Sequence, residues 1–85
     1  MYFVYFLITK SKSYKYISYV GYTNNLKKRL ALHNASKGAK FTKGRKWKLI
    51  YKRKYVTKSL ALINEYKLKK DKKKRLKILL KNKWK

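Results

Sequence analysis

Between Tyr19 and His33 the chain carries two tyrosines, its only histidine, and an arginine four residues before that histidine. Imidazole exchanges a proton near neutrality, the guanidinium fork matches phosphate oxygens, and a phenol beside a cation can hold or yield its proton. A helix through this stretch would put Arg29 and His33 on one side, one turn apart, as a clamp for an oxyanion. Taken singly they have plainer roles, Arg29 as one more solvated cation and His33 as a helix-terminal side chain satisfying backbone carbonyls. Two further groups join them from a distance. Tyr5 stands in the first apolar run, and Glu65 is one of only two acids, with Asp71, in a chain of 27 Lys plus Arg. Glu65 falls on an apolar helical stripe, where a carboxylate must find a cation because an unpaired buried charge is costly. That cation is Lys69 at i+4 or a metal ion. Asp71 lies among lysines and reads as solvated charge.

The elements that position these groups follow from periodicity. Residues 2–9 are aromatic and aliphatic up to Thr9, with no charge, as expected of a strand covered on both faces. Lys10 to Ser13 reads as a turn and 14–22 as the second strand, with Tyr16, Ser18, Val20 and Tyr22 on one side and Ile17, Tyr19 and Gly21 on the other. A turn centred on Lys12 sets Tyr5 directly opposite Tyr19, so that the two phenols converge. Gly21 allows a close approach at the strand end, and Thr23, Asn24 or Asn25 caps the following helix, in which Leu26, Leu30 and His33 follow the i, i+4, i+7 spacing.

Residues 34–46 then read as a mobile basic connection carrying Lys37, Lys40, Lys43, Arg45 and Lys46, candidates for phosphate contacts, with Phe41 and Trp47 as anchors. Lys48 to Val56 is a third strand with one wet face, Leu49, Tyr51 and Tyr55 against Ile50 and Val56. Ser59 to Lys70 is a second helix with Ser59 as cap and with Ala61, Leu62, Glu65, Leu68 and Lys69 on one side. Lys72 to Lys85 forms a third, with Leu76, Leu79 and Leu80 inward and Trp84 near its end. There is no repeat and no linker, so residues 1–85 read as one domain.

The net charge of +25 over 85 residues predicts a polyanionic partner. An AT-rich coding sequence would account for many lysines, but glutamate codons are AT-rich too, and glutamate is nearly absent. With no cysteine, disulfides and zinc fingers are excluded, and any metal is held by oxygen or by the single imidazole, which points to a hard cation such as Mg2+ or Mn2+. No run approaches the roughly 20 apolar residues of a membrane span, and no basic leader precedes the first strand, so the expected location is cytoplasmic, without membrane contact.

Phe3-Val4-Tyr5, Tyr19-Val20-Gly21, Arg29, His33 and Glu65 occur in an order and spacing that resemble the GIY-YIG nuclease superfamily. In particular, Arg29-Leu30-Ala31-Leu32-His33-Asn34, the segment from Lys37 to Arg45 and Glu65-Tyr66-Lys67-Leu68-Lys69 are similar to its small single-domain bacterial members, which are related to the nuclease domain of the excision-repair incision protein. The first motif lacks its glycine, the second has valine for isoleucine, and only Asn82 answers to the asparagine often found late in the module. The resemblance covers nearly the whole chain. It implies an α+β fold, a three-stranded antiparallel sheet flanked by helices, and metal-dependent hydrolysis of DNA phosphodiesters, in repair or recombination. It also implies the roles: Glu65 holds one Mg2+ or Mn2+, Arg29 and His33 steady the phosphate, Tyr19 supports or activates the attacking water, and Tyr5 donates from the first motif, with either tyrosine able to be the base.

Sequence specificity is expected to be low, since lysine contacts to phosphate, including those of Lys69, carry no base information. A monomer is assumed. Two other readings stay open: a catalytically silent nucleic-acid binder, and a basic RNA- or ribosome-associated protein.

Overall fold

The computed structural model describes residues 1–10 and 16–81. Strand β1 (Tyr2–Lys10) lies between β2 (Tyr16–Thr23) and β3 (Lys48–Tyr55), antiparallel to both. Helix α1 (Leu26–Asn34) follows β2, a single 3-10 turn (Lys40–Thr42) precedes β3, and α2 (Lys58–Lys70) and α3 (Lys72–Lys81) complete the described chain. This is the expected α+β architecture. The central position of β1 explains its uncharged sequence: Val4 to Thr9 are all buried, because neighbours take both edges and helices cover both faces.

Alternation in β1 divides the core in two. Val4, Phe6 and Ile8 join Val20, Ala61 and Leu68 under α2 and α3, with Ile78 and Leu79 packed against them. Tyr5 and Leu7 face the other way, with Trp47 and with Ile17, Tyr19, Leu26, Leu30 and Leu49. Tyr5, Tyr19, Arg29 and His33 therefore share one face of the sheet with α1, whereas Glu65 comes from α2, which covers the apolar layer on the other.

Several local expectations are corrected. Tyr5 pairs with Gly21 and Leu7 with Tyr19, a register two residues from the expected one. The reason is steric, since the Tyr5 ring occupies the space where a residue at 21 would carry its side chain: a β-carbon there would fall 2.5 Å from the phenol oxygen. A slip of two keeps every residue on its own face, so the phenols still converge, diagonally rather than opposite. The turn at Lys12 lies outside the described residues, as do Asn82 and Trp84. In β3 a bulge between the partners of Phe6 and Leu7 inserts one residue, sending Leu49 to the α1 face and both Ile50 and Tyr51 to the other. Leu49 is thus separated from Tyr51 and Tyr55.

Thr57, not Ser59, caps α2, its hydroxyl accepting from the Leu60 amide at 3.2 Å. Asp71 is a cap too and not merely solvated charge, accepting the Lys74 amide at 3.0 Å at the start of α3. The residue just before a helix is where a carboxylate serves best, which accounts for an acid in so basic a stretch. In α3, Ile78 and Leu79 turn inward while Leu76 and Leu80 are exposed. Arg75 reaches back to the Leu68 carbonyl at 2.8 Å and to that of Lys69, closing the end of α2.

Candidate active site

Asn25 starts α1 by accepting the Lys28 amide at 3.1 Å, with Thr23 bonded to the Asn25 amide behind it. The helix then places Leu26 and Leu30 on the sheet and carries His33 into the core at 0% exposure. The expected spacing along this helix is the one observed.

A buried histidine needs partners for both nitrogens, and two are supplied from opposite sides. Thr42 Oγ1 donates its single proton to the Ala39 carbonyl at 2.9 Å, so toward His33 Nδ1, at 2.8 Å, it can only accept. Nδ1 therefore carries the ring proton, and Nε2 accepts from the Tyr5 hydroxyl at 2.8 Å. The polarity of the chain Tyr5 to His33 to Thr42 to Ala39 is fixed at its far end. Burial, and secondarily the nearby Arg29 charge, pull the His33 pKa below its usual value, which keeps the ring neutral. Tyr5 is pushed the other way, chiefly by burial, with Tyr19 and Glu65 adding to the rise and Arg29 opposing it. It stays a phenol.

Two glycines make this approach possible. Gly21 leaves room for the Tyr5 ring, and at Gly38 a β-carbon would collide with the His33 ring. The basic connection is consequently tied down rather than loose: Asn34 Oδ1 accepts the Trp47 amide at 2.6 Å while its Nδ2 donates to the Trp47 carbonyl at 3.2 Å, and the Trp47 indole donates to the Thr42 carbonyl at 2.9 Å. Trp47 is the anchor that was expected. Phe41 is not, being 54% exposed.

Arg29 lies against both phenols and is bonded first to Tyr5, which raises its own pKa and holds the guanidinium charged. It also lines a cleft of about 420 Å³ with Tyr2, Tyr22, Thr23, Asn24 and Lys58. The Tyr19 ring is half-buried, 6.3 Å from Tyr5, 5.1 Å from His33 and 6.2 Å from Phe41. Tyr5, Tyr19, Arg29 and His33 thus form one cluster beside Gly21.

Glu65 comes from α2. Its side chain is 15% exposed and its charge is felt at Tyr5, yet its ion-pair partner is Lys69, 3.7 Å away at i+4. Lys69 in turn borders a second cleft, of about 250 Å³, with Ser18, Tyr19, Val20 and Arg75. Among the described residues no three His, Cys, Asp or Glu gather as metal ligands. One partly covered carboxylate is a donor set suited to a hydrated hard cation and to no softer metal. Lys37, Lys40, Lys43, Arg45 and Lys46 are all exposed on the connection, outside the cluster. Thr42, Asn34 and Gly38 went unnoticed as contributors, their one signal being small hydrogen-bonding or side-chain-free positions within a lysine-rich run.

A family model described as the GIY-YIG catalytic domain matches residues 1–78. A UPF0213 protein of Streptococcus pneumoniae serotype 4 is 41% identical over 71 residues, 82% of this chain and 68% of that protein. One of Oceanobacillus iheyensis is 48% identical over 52 residues, 60% of each. The chain spans 53% of a Bacillus pumilus relative, also 48% identical over 52 residues. The solution NMR structure of a UPF0213 protein from Bacillus halodurans is 32% identical, with coverage of 98% of this chain and 88% of that one and a TM-score of 0.47.

Proposed function

Since the chain belongs to the GIY-YIG catalytic-domain family, a nuclease family, we propose that it is a metal-dependent DNA endonuclease of low sequence specificity. The observation that carries this reading is the convergence of Tyr5, Tyr19, Arg29 and His33 at the end of β2, with the Glu65 charge within reach. Hydrolysing a phosphodiester mainly requires stabilised charge on the phosphoryl oxygens and one oriented water. Arg29, held against the phenols and lining the adjoining cleft, meets the first need. Tyr19, half-buried and adjacent to Arg29, meets the second as the phenol that holds the water.

Tyr5 is the less suitable base, because burial keeps it protonated and its proton points at His33. It serves to hold Arg29 and Tyr19 in place. His33, with both nitrogens engaged and no exposed surface, acts on Tyr5 and not on the phosphate. Glu65 would hold a single Mg2+ or Mn2+, which supplies Lewis-acid charge at the phosphate when bound. The surface cations Lys37, Lys40, Lys43, Arg45, Lys46 and Lys69 contact the backbone of the DNA, so binding weakens steeply with salt. The same proposal extends to a role in DNA repair, in the cytoplasm, as the family resemblance suggests. Among the described residues no helix is long and apolar enough to cross a membrane.

The Glu65–Lys69 pair also suits a silent nucleic-acid binder, in which the carboxylate is already satisfied by lysine. Supercoiled plasmid incubated with Mg2+, with Mn2+ and with EDTA separates the two. Relaxation that needs metal and vanishes in Arg29→Ala and Glu65→Ala supports the nuclease; plasmid bound but never cut supports the silent binder.

A further inference from the structure

Phe41 is a large aromatic that stays 54% exposed beside the cluster, while Trp47, its neighbour at 6.2 Å between ring centroids, is 4% exposed. One face of its ring is stacked on Tyr19, at 6.2 Å and 22° between planes. The segment that carries it is rigidly placed: the next residue, Thr42, is bonded to His33, and the Trp47 indole closes on the Thr42 carbonyl. Close to Phe41 in sequence, Lys40 and Lys43 are exposed cations.

An apolar ring in a +25 chain, pinned by its backbone and left 54% exposed, is poorly explained by packing alone. Resting on the nuclease reading above, we propose that Phe41 is a stacking platform for a nucleobase next to the phosphate held by Arg29, extending the stack of Tyr19 and Phe41 by one ring. A base within a duplex has both faces covered by its neighbours and cannot join that stack. The platform therefore selects nucleotides that are unpaired beside the cleaved bond. Base stacking on an aromatic side chain tolerates any base, so this selects the state of the strand and leaves sequence specificity low.

The test is binding in EDTA, where cleavage plays no part, at one fixed salt concentration. Fluorescence anisotropy compares a single-stranded oligonucleotide with the fully paired duplex of the same sequence, for the wild type, Phe41→Leu and Phe41→Tyr. A 2-aminopurine in the single strand reports stacking by quenching. Leucine keeps the apolar cover over Tyr19 and removes the π-face, and an unchanged melting temperature shows that the variant is folded.

The expected result is that Phe41→Leu binds the single strand about five- to hundredfold more weakly, with duplex binding unchanged and the quench lost, while Phe41→Tyr behaves as the wild type. Equal single-strand affinity for Phe41→Leu and wild type overturns the platform, as does an equal loss on both strands. A wild type that binds neither strand overturns the nucleic-acid reading itself, a pattern that the first two outcomes do not produce.

Discussion

Under α2 and α3, Val4, Phe6, Ile8, Val20, Ala61 and Leu68 are buried side chains with no polar atom, whereas on the α1 face Tyr5, His33, Thr42 and Trp47 are as deeply buried and bonded at every side-chain polar atom. Both faces use the same strands, since successive residues of β1 alternate between them. The apolar side is stabilised by volume, which tolerates exchange among residues of similar size. The polar side is a chain of single hydrogen bonds, in which each partner determines the orientation of the next. Stability should therefore depend mostly on the even positions of β1, and chemistry on the odd ones.

The largest effect should separate the faces outright. Phe6→Ala, wholly within the apolar layer, should cost about 3–5 kcal/mol in urea denaturation. At low temperature the molecules that remain folded should keep their cleavage rate. A rate that falls further than the folded fraction would break the division.

Arg29→Ala is the converse. Removing a charged donor to a developing oxyanion typically lowers a rate about 10²- to 10³-fold. At a half-buried helix position it should move the melting temperature by only a few degrees. Plasmid relaxation and thermal melting on the same preparation check both halves; a variant that loses stability as heavily as Phe6→Ala would make Arg29 part of the scaffold.

Gly21→Ala and Gly38→Ala probe where the polar face admits no volume. Each places a methyl into the Tyr5 or the His33 ring, so each should cost about 1–3 kcal/mol by overpacking and disturb cleavage at the same time. Full activity in both variants would mean that the Tyr5–His33 bond is dispensable.

How much of this was legible depended on whether the signal was local. The uncharged first strand, the stripe of Leu26, Leu30 and His33, and the shared face of Tyr5 and Tyr19 all follow from periods of 2 and 3.6. The two-residue register slip left those faces intact. Gly21 was legible as a point of close approach, though not what approaches it. The register itself, the bulge at Ile50, and the roles of Thr57 and Asp71 depend on which of several equivalent residues meets a distant partner. Thr42 is the sharpest case: its importance comes from a hydrogen bond to a residue nine positions earlier, which no spacing rule foretells. Phe41 and Trp47, alike in sequence as aromatics of a basic run, diverge because only Trp47 has an indole nitrogen that the Thr42 carbonyl can hold.

Thr42→Val keeps the shape of the side chain and removes the acceptor for the His33 ring proton. An unsatisfied buried donor costs about 1–3 kcal/mol, so this substitution should approach the glycine variants in stability while sparing the apolar layer. It should also free the ring to turn its proton toward Tyr5, and cleavage should fall more than melting does. Cleavage and melting unaltered by Thr42→Val would remove Thr42 from the chain of bonds.

The smallest effect is the one that titration resolves best. His33 has its folded pKa below the ordinary value of about 6.5, from burial first and Arg29 second. Below that pH the unfolded chain binds a proton that the folded chain refuses, so stability falls as pH falls, from about 6.5 down to the folded pKa. The slope can reach about 1.4 kcal/mol per pH unit and no more, because one group is involved. His33 is the only histidine of the chain, and Glu65 and Asp71 are its only acidic side chains. Urea midpoints from pH 7 to 5 should therefore decline in the wild type and stay nearly flat in His33→Phe, compared at matched salt. A wild-type profile as flat as the variant's would mean that the imidazole accepts its proton without leaving its place. Nε2 would then donate to Tyr5, whose hydroxyl proton would turn away from the ring, so that this one bond would reverse while Nδ1 went on donating to Thr42.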